Sequence, residues 1–510
     1  MYPGSTIAAP VRFYRSATDW ITDPERSDRA IAVVLVLHFL ALSVFSILAR
    51  GNLDGHGDMA ENYAWGQEWQ LGYHKHPPFF AWVVAAWFIL FPNTDWAYFL
   101  LSSLNVVIGL AAVWFLSREF LTAKRSLIAV VLLAFLPYYT FLAIKFNANA
   151  ILLSLWPLAA LFFVRSLRSR SVFTGVLFGL AAGLSVLSKY FSFSLLAGLF
   201  LVAVFSRHRK EYFSSLSPYA TGAAFILCIA PHAYWLVSHE FLPVQYAADH
   251  KIDLPGVLKS IVLFALLQGA YLLPAAIAVV AAVGLAGWRR SGLLKRVRAA
   301  WTEHRLMTGI LCLPFLLTIV SAGVLQLELS AIWGMPLWFL LGAFLAATIP
   351  EETVSKAYRR SILAILAFHV ILVFVAAPLT VVLDRASGRV SPREELSTRV
   401  TSEWRALYGT ELRIVAGTRP LAESVSFYSA DTPSLFIDFN ERYSPWISRS
   451  RISREGIAIV CAVDDAVCEE SARKWFGDAC DLKKISVKEK SVFYRDTAVE
   501  FKVCLVPPGN

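Results

Sequence analysis

The sequence predicts a polytopic α-helical membrane protein with a smaller α/β domain at its C-terminal end. Three observations predict it. The 510-residue chain is 57% hydrophobic and only 16% charged, with a mean hydropathy of +0.56, more apolar surface than a soluble fold has use for. Apolar runs near twenty residues recur through residues 1–383, and about 20 helical residues at ~1.5 Å rise cross a hydrocarbon core ~30 Å thick. From residue 384 the runs shorten and alternate between β-like and helical periods.

Taken in order, the candidate spans are about 30–49, 96–117, 126–142, 150–164, 172–187, 191–206, 219–237, 258–287, 306–323, 331–349 and 361–383, eleven in all. The first follows a polar, basic stretch and is long enough to span, so it reads as an uncleaved anchor. The run 258–287 is long enough to tilt, or to break at Pro274. Phe79–Phe91 (FFAWVVAAWFILF) is apolar but only about 13 residues long, the length of an interfacial helix. Basic residues settle its side. If it does not cross, Arg118/Lys124/Arg125, Arg165/Arg168/Arg170, Arg207/Arg209/Lys210, the cluster from Arg289 to Arg298 and Lys356/Arg359/Arg360 all fall on one face with the N-terminus. That face is the cytoplasmic one by the bias of Lys and Arg toward inner loops. The opposite face then holds 51–95, the polar breaks Lys145–Asn149, Ser188–Tyr190 and Ser238–Gly256, and the whole tail.

The net charge of +10 invites a nucleic-acid reading, which its distribution excludes. Residues 384–510 carry 19 charges of each sign, so the surplus lies in residues 1–383, in short inner loops. The tail reads as an α/β domain, with strand-like runs at Leu412–Ala416, Ser434–Asp438, Gly456–Val463 and Phe501–Val506 and helical ones at Leu421–Tyr428 and Asp465–Phe476. It holds Cys461, Cys468, Cys480 and Cys504; an outer location permits disulfides, in any of three pairings, and free buried thiols are the alternative.

A polar run, Gly57–Pro78, GDMAENYAWGQEWQLGYHKHPP, stands between long apolar segments. Asp58 and Glu61 lie three apart and so share a helix face. Two readings stand: a capping pair with Asp58 as N-cap, or a carboxylate base at the mouth of a membrane cavity. His74, Lys75 and His76 precede Pro77-Pro78, which hold the backbone extended. His74 and His76 then share a side and are candidate ligands for a divalent metal or a phosphate, or are simply interfacial anchors. Lys145, Asn147, Asn149, Lys189 and Tyr190 occupy the other outer breaks; Lys189 either snorkels or meets a phosphate oxygen. His232, His239 and His250 lie in or beside the outer loop after the seventh span, and His250, next to Asp249, is the strongest metal or phosphate candidate of the three. Glu328 and Trp333 begin the tenth span. No Walker A sequence, no GxGxxG before a helix and no HExxH is present, which removes support from ATP-driven transport and metalloprotease chemistry.

The order Asp58-x-x-Glu61-x-Tyr63-x-Trp65, then Gly72-Tyr73-x-x-His76-Pro77-Pro78, resembles the first outer loop of GT-C membrane glycosyltransferases. Within that class it is nearest the protein O-mannosyltransferase and aminoarabinose transferase group (families 39 and 83). FNANAILLSLWPLAALFF, GLAAGLSVLSKY, VQYAADHK and IWGMPLWF resemble later landmarks of the group, so the likeness covers roughly residues 30–350. DMAENYAWGQEW and KFNANA are most similar to rhizobial lipopolysaccharide core galacturonosyltransferases.

The resemblance implies a polyprenyl-phosphate sugar donor, an acceptor hydroxyl on lipid A or core lipopolysaccharide, and a site at the periplasmic face of a bacterial inner membrane. It implies Asp58 as base, with Glu61 beside it, and inversion at the anomeric carbon. Lys189 is implied as a donor-phosphate contact, and Lys75, His76 and His250 as further ones. The chain departs from the group where adjacent Asp-Glu is common, where a second acidic residue often stands in place of Asn147 or Asn149, and where aminoarabinose transferases have Glu-Lys-Pro in place of Lys75-His76-Pro77, which puts their metal site in doubt here. A transporter or flippase of a polyprenyl-phosphate-type lipid is the alternative reading of the same outer cations.

Overall fold

The computed structural model describes residues 19–249, 251–284, 292–386, 391–488 and 498–509. Helices dominate as far as residue 386. In chain order they include α1 (Ser27–Ala49), α2 (Asp58–Gln67), α3 (Phe79–Leu90), α4 (Asp95–Arg118), α5 (Ala123–Ala134), α6 (Leu152–Ser169), α7 (Val172–Val186), α8 (Phe193–Phe205), α9 (Ser217–Ser238), α10 (Leu254–Val283), α11 (Arg305–Leu325), α12 (Leu341–Thr348) and α13 (Val354–Ile371). Among the described residues seven helices are long and apolar enough to cross a membrane, and eight if Ala331–Trp338 and α12, bent by 55°, count as one span. The remaining runs of the eleven are helical but shorter.

One of the differences has a local cause. The run 126–142 stops as a helix at Ala134. Pro137 lacks an N–H and disfavours helical geometry at the residue before it, and the chain turns through a short 3-10 segment, Pro137–Tyr139. The run 258–287 does not break at Pro274; α10 continues for 30 residues through it. Phe79–Leu90 is a separate 12-residue helix, as its length suggests.

Close packing follows small residues. Gly175, Gly179 and Gly183 line one face of α7. A Cβ on them would come within 2.4 Å of the Ser217 carbonyl, 2.3 Å of the Thr221 carbonyl and 2.8 Å of Cys228, all on α9. Such a stripe is how apolar helices approach without a hydrophobic driving force between them. Polar ties add to it. Arg125 donates to the carbonyls of Ala346 at 2.6 Å and Ile349 at 2.8 Å, satisfying the free end of α12, and pairs with Glu351. His38 of α1 meets His369 of α13 at 3.0 Å. Leu227, Leu266, Val320 and Phe374 remain exposed, the apolar belt of a surface made for lipid.

From residue 391 the chain forms a five-stranded sheet in the order β2-β1-β3-β5-β4. The strands are β1 (Ile414–Gly417), β2 (Ser434–Phe436), β3 (Ile457–Ala462), β4 (Lys483–Lys488) and β5 (Ala498–Val506), with helices α14 (Arg393–Tyr408), α15 (Leu421–Tyr428), α16 (Arg449–Glu455) and α17 (Ala466–Phe476). β1 runs parallel to β2 and β3, while β5 is antiparallel to β3 and β4. β3 reads IAIVCA because both its faces are covered. Disulfides join Cys461 to Cys468 and Cys480 to Cys504. One continuous apolar cluster runs from the helices into the near side of this unit through Trp404, Val425 and Phe427, and a second, smaller one lies behind the sheet around Ile457 and Ile459.

Candidate active site

The polar stretch after α1 folds around the start of α2. Gly57 takes a left-handed conformation (φ 81°) and Asp58 is the first helical residue. The cap is Asp54, whose carboxylate accepts the N–H groups of Asp58 at 3.1 Å and Met59 at 2.8 Å. The expectation of Asp58 as N-cap is therefore corrected: Gly57 occupies that position, and the free N–H groups are already satisfied from one turn upstream. The Asp58 carboxylate is left for other partners. It lies 2.8 Å from Lys145 Nζ and accepts from Asn147 Nδ2 at 3.2 Å, with about a third of the side chain exposed. Lys145 also pairs with Asp54 at 3.1 Å. Burial works against the charged form of Asp58, but Lys145, Asn147 and more distant Lys75 outweigh it, so the carboxyl sits below its ordinary pKa and is ionised at neutral pH.

The segment after Pro137 is shaped to deliver these partners. Asn147 Oδ1 accepts the N–H groups of Asn149 at 3.0 Å and Ala150 at 3.1 Å, the local side-chain turn that suits Asn. That bond turns its amide nitrogen toward Asp58. Asn62 of α2 donates to the Phe146 carbonyl at 2.9 Å and docks the segment onto the helix. Asn149 Oδ1 in turn accepts from Lys189 Nζ at 2.5 Å. Lys189 stands 4.4 Å from the Trp333 ring centre, so Trp333 is a floor for this ammonium rather than a lone belt residue. Lys189 pairs with no carboxylate among the described residues. Burial pulls its pKa down to about 7, with the Asp58 charge opposing the fall.

Glu61 is placed differently. It is buried, and its Oε1 receives both Lys75 at 2.7 Å and Arg419, from the C-terminal unit, at 2.8 Å. Glu61 is thus closed off from solvent by two cations, whereas Asp58 keeps about a third of its side chain exposed, so the two acidic residues of the motif differ in access. His76 is kept neutral, its pKa lowered to about 3 by burial and then by the charges of Lys189 and Lys75; it thus faces the same cations. His74 is lowered to about 2 for the same first reason and is stacked 4.4 Å from Tyr443.

Tyr190 lies to one side. Its hydroxyl meets His232 Nε2 at 2.7 Å, and His232 Nδ1 lies 2.7 Å from the Leu71 carbonyl. A carbonyl accepts only, so Nδ1 carries the proton and Nε2 accepts from Tyr190. The pair anchors the loop before Gly72. His239 stacks on Trp235. His250 lies outside the described residues. Among the described residues no three His, Cys, Asp or Glu side chains are grouped to hold a metal ion; His74 and His76 do not form such a site with a third ligand. Asp54 and Arg419 were not anticipated. Asp54 had a signal, a carboxylate just ahead of the glycines; Arg419 had none.

The arrangement offers an ionised carboxylate, Asp58, and a cluster of cations and neutral donors beside it, with Lys189 lacking an acidic partner among the described residues. The chain is similar to known proteins in part of its sequence and in its fold. Residues 75–235 match the family model for dolichyl-phosphate-mannose-protein mannosyltransferase. Lipid A galacturonosyltransferase RgtD from Rhizobium johnstonii is 27% identical over 199 residues, 38% of this chain and 40% of that protein. The chain matches about two fifths of that relative's length. ArnT from Cupriavidus metallidurans bound to undecaprenyl phosphate superposes with a TM-score of 0.61 at 13% identity, covering 93% of this chain and 98% of that one. Its apo state gives 0.58 at 13% identity over 94% and 98%. The fold is thus that of GT-C membrane proteins, over nearly the whole chain.

Proposed function

We propose that this chain, with its GT-C fold, transfers a sugar from a polyprenyl-phosphate donor to a hydroxyl of lipid A or core lipopolysaccharide at the periplasmic face of the inner membrane. In this reading the N-terminus is cytoplasmic and the C-terminal unit periplasmic. The observation that carries it is the pairing of roles around α2: Asp58 is ionised and accessible, while Lys189, close enough to feel its charge, has among the described residues an amide and an aromatic ring as partners and no carboxylate.

The chemistry follows from the groups. Asp58 takes the proton of the acceptor hydroxyl as its oxygen attacks the anomeric carbon. The new C–O bond forms as the bond from that carbon to the phosphate oxygen breaks, with inversion by in-line displacement. The electron pair leaves with the polyprenyl phosphate, which Lys189 stabilises as negative charge develops; Lys75, His76, Lys145, Asn147 and Asn149 line the same side. Energy comes from the donor phosphodiester, so no nucleotide is consumed. Galacturonic acid is the proposed sugar, because RgtD is named for it. An undecaprenyl chain is the proposed lipid, because ArnT binds undecaprenyl phosphate. Membrane lipids surround the helices.

The test is reconstitution of purified protein with undecaprenyl-phosphate galacturonic acid and lipid A, followed by mass spectrometry. Lipid A heavier by one uronic acid residue is the expected product. Unmodified lipid A with this donor and with neutral-sugar donors, alongside movement of the donor lipid across the bilayer, would point to transport instead.

A further inference from the structure

The C-terminal unit meets this site through one corner. Thr418, Arg419 and Pro420 lead from β1 into α15, and the corner is built into the sheet. The Thr418 N–H donates to the Val460 carbonyl at 2.9 Å; its hydroxyl donates to Asp465 at 2.5 Å and accepts from the Ala462 N–H at 3.0 Å. From that base the Arg419 guanidinium spans two carboxylates, Glu423 at 2.7 Å through Nε and Glu61 at 2.8 Å through a terminal nitrogen. The next residue, Pro420, presses on Gly57; a Cβ there would lie 2.5 Å from the Pro420 Cβ. Arg393 adds a bond to the Asp54 carbonyl at 3.0 Å. The residues just before Asp58, and the one a turn after it, are therefore all held from the C-terminal unit.

Asp58 opens a helix of ten residues, too short to set its own orientation without tertiary contacts. Glu61 lies on the same face three residues on. We propose that Arg419 is a positioning residue for transfer: by clamping Glu61 against Lys75 it fixes the rotation and height of α2, and with them the aim of Asp58. The C-terminal α/β unit is then a working part of the active site. This rests on the activity proposed above. A misplacement of about 1 Å at a reacting group can cost about 100-fold in rate, so a clamp of this kind is read in turnover.

The test compares Arg419→Gln, Arg419→Lys, Glu61→Gln and the double variant Arg419→Gln/Glu61→Gln, in the full-length detergent-purified protein. Transfer kinetics and melting curves are both recorded. Arg419→Gln is expected to lose at least tenfold in kcat with donor KM within about threefold. Arg419→Lys, which keeps a cation for Glu61, recovers most of the loss, and the double variant is no slower than the worse single one. Arg454→Gln, on the outer face of α16, controls for general damage and keeps wild-type kcat. Should Arg419→Gln fold poorly, Arg419→Lys and Glu61→Gln still decide the matter. Unchanged kcat in Arg419→Gln, a loss that lysine does not restore, or additive losses in the double variant overturns the proposal. A wild-type protein that transfers no sugar overturns the activity and this role with it; the melting curves separate that from a failure of the contact, since an intact Glu61–Arg419 pair makes the two substitutions non-additive in stability.

Discussion

Asp54 caps the helix that Asp58 begins: one carboxylate accepts the N–H groups of Asp58 and Met59, and the other is left facing Lys145 and Asn147. Structure and chemistry are divided between two acids four residues apart. Substituting Asp54 by Ala is expected to cost about 1–2 kcal/mol of stability, the usual range for a lost cap, while Asp54→Asn retains most of it. Asp58→Asn is expected to cost less than Asp54→Ala, because Asp58 is only partly buried and caps no helix N–H. Chemical denaturation in detergent reads both. Equal destabilisation by the two would contradict the division.

Lys189 gives the site a pH signature. Burial holds its ammonium near a pKa of about 7, so the charged fraction falls as pH rises through neutrality. Binding of undecaprenyl phosphate to wild-type protein is expected to weaken between pH 6 and 8.5, and binding to Lys189→Met to be weak with no such slope. The stability sign is opposite. Between about 7 and the ordinary lysine value of 10.5 the unfolded chain binds the proton that the folded one has lost, so folding stability gains with pH in that window. A pH-independent wild-type affinity would remove Lys189 from the phosphate site.

Gln268, buried in α10, ties three elements together. It accepts from the Tyr138 hydroxyl at 2.5 Å and from Trp338 Nε1 at 2.9 Å, and donates to the Ala331 carbonyl at 3.0 Å. This holds the 3-10 segment that carries Trp333 beneath Lys189. Gln268→Leu is expected to cost about 1–2 kcal/mol, the upper range for polar contacts between membrane helices. Gly334→Ala should be no milder, since its Cβ would fall 2.0 Å from Gln268 Oε1. Unfolding in mixed micelles measures both; a wild-type curve for Gly334→Ala would contradict the packing.

The two disulfides predict a specific peptide map. Non-reducing digestion is expected to yield Cys461 linked to Cys468 and Cys480 linked to Cys504, with Cys228 and Cys312 free to alkylate. The bridges close loops of 7 and 24 residues. On chain entropy alone, losing the longer one costs about 1 kcal/mol more than losing the shorter. Serine pairs at each bridge, compared by denaturation, test the order.

Hydropathy made the long helices legible, because membrane insertion sums over a run of residues. It misjudged 126–142: Pro137, Tyr138 and Tyr139 look apolar in a window but turn the chain. β4 escaped notice because KKISVK is an exposed edge strand, where lysines guard against stray pairing. Topology alone brought Asp58, Lys145, Asn147, Asn149 and Lys189 to one face. Their pairings were illegible, since Asp58 and Asn147 are 89 positions apart and only packing sets that distance. Arg419 was hidden for the same reason, in a tail whose charges balance.

The central claim is that Asp58 is the base. The most direct test is single-turnover transfer by Asp58→Asn, with undecaprenyl-phosphate sugar preloaded and lipid A added. A fall in transfer rate of about 100- to 10,000-fold, the range for a lost general base, with undecaprenyl phosphate binding retained, is the predicted result. Transfer at the wild-type rate in Asp58→Asn would contradict it.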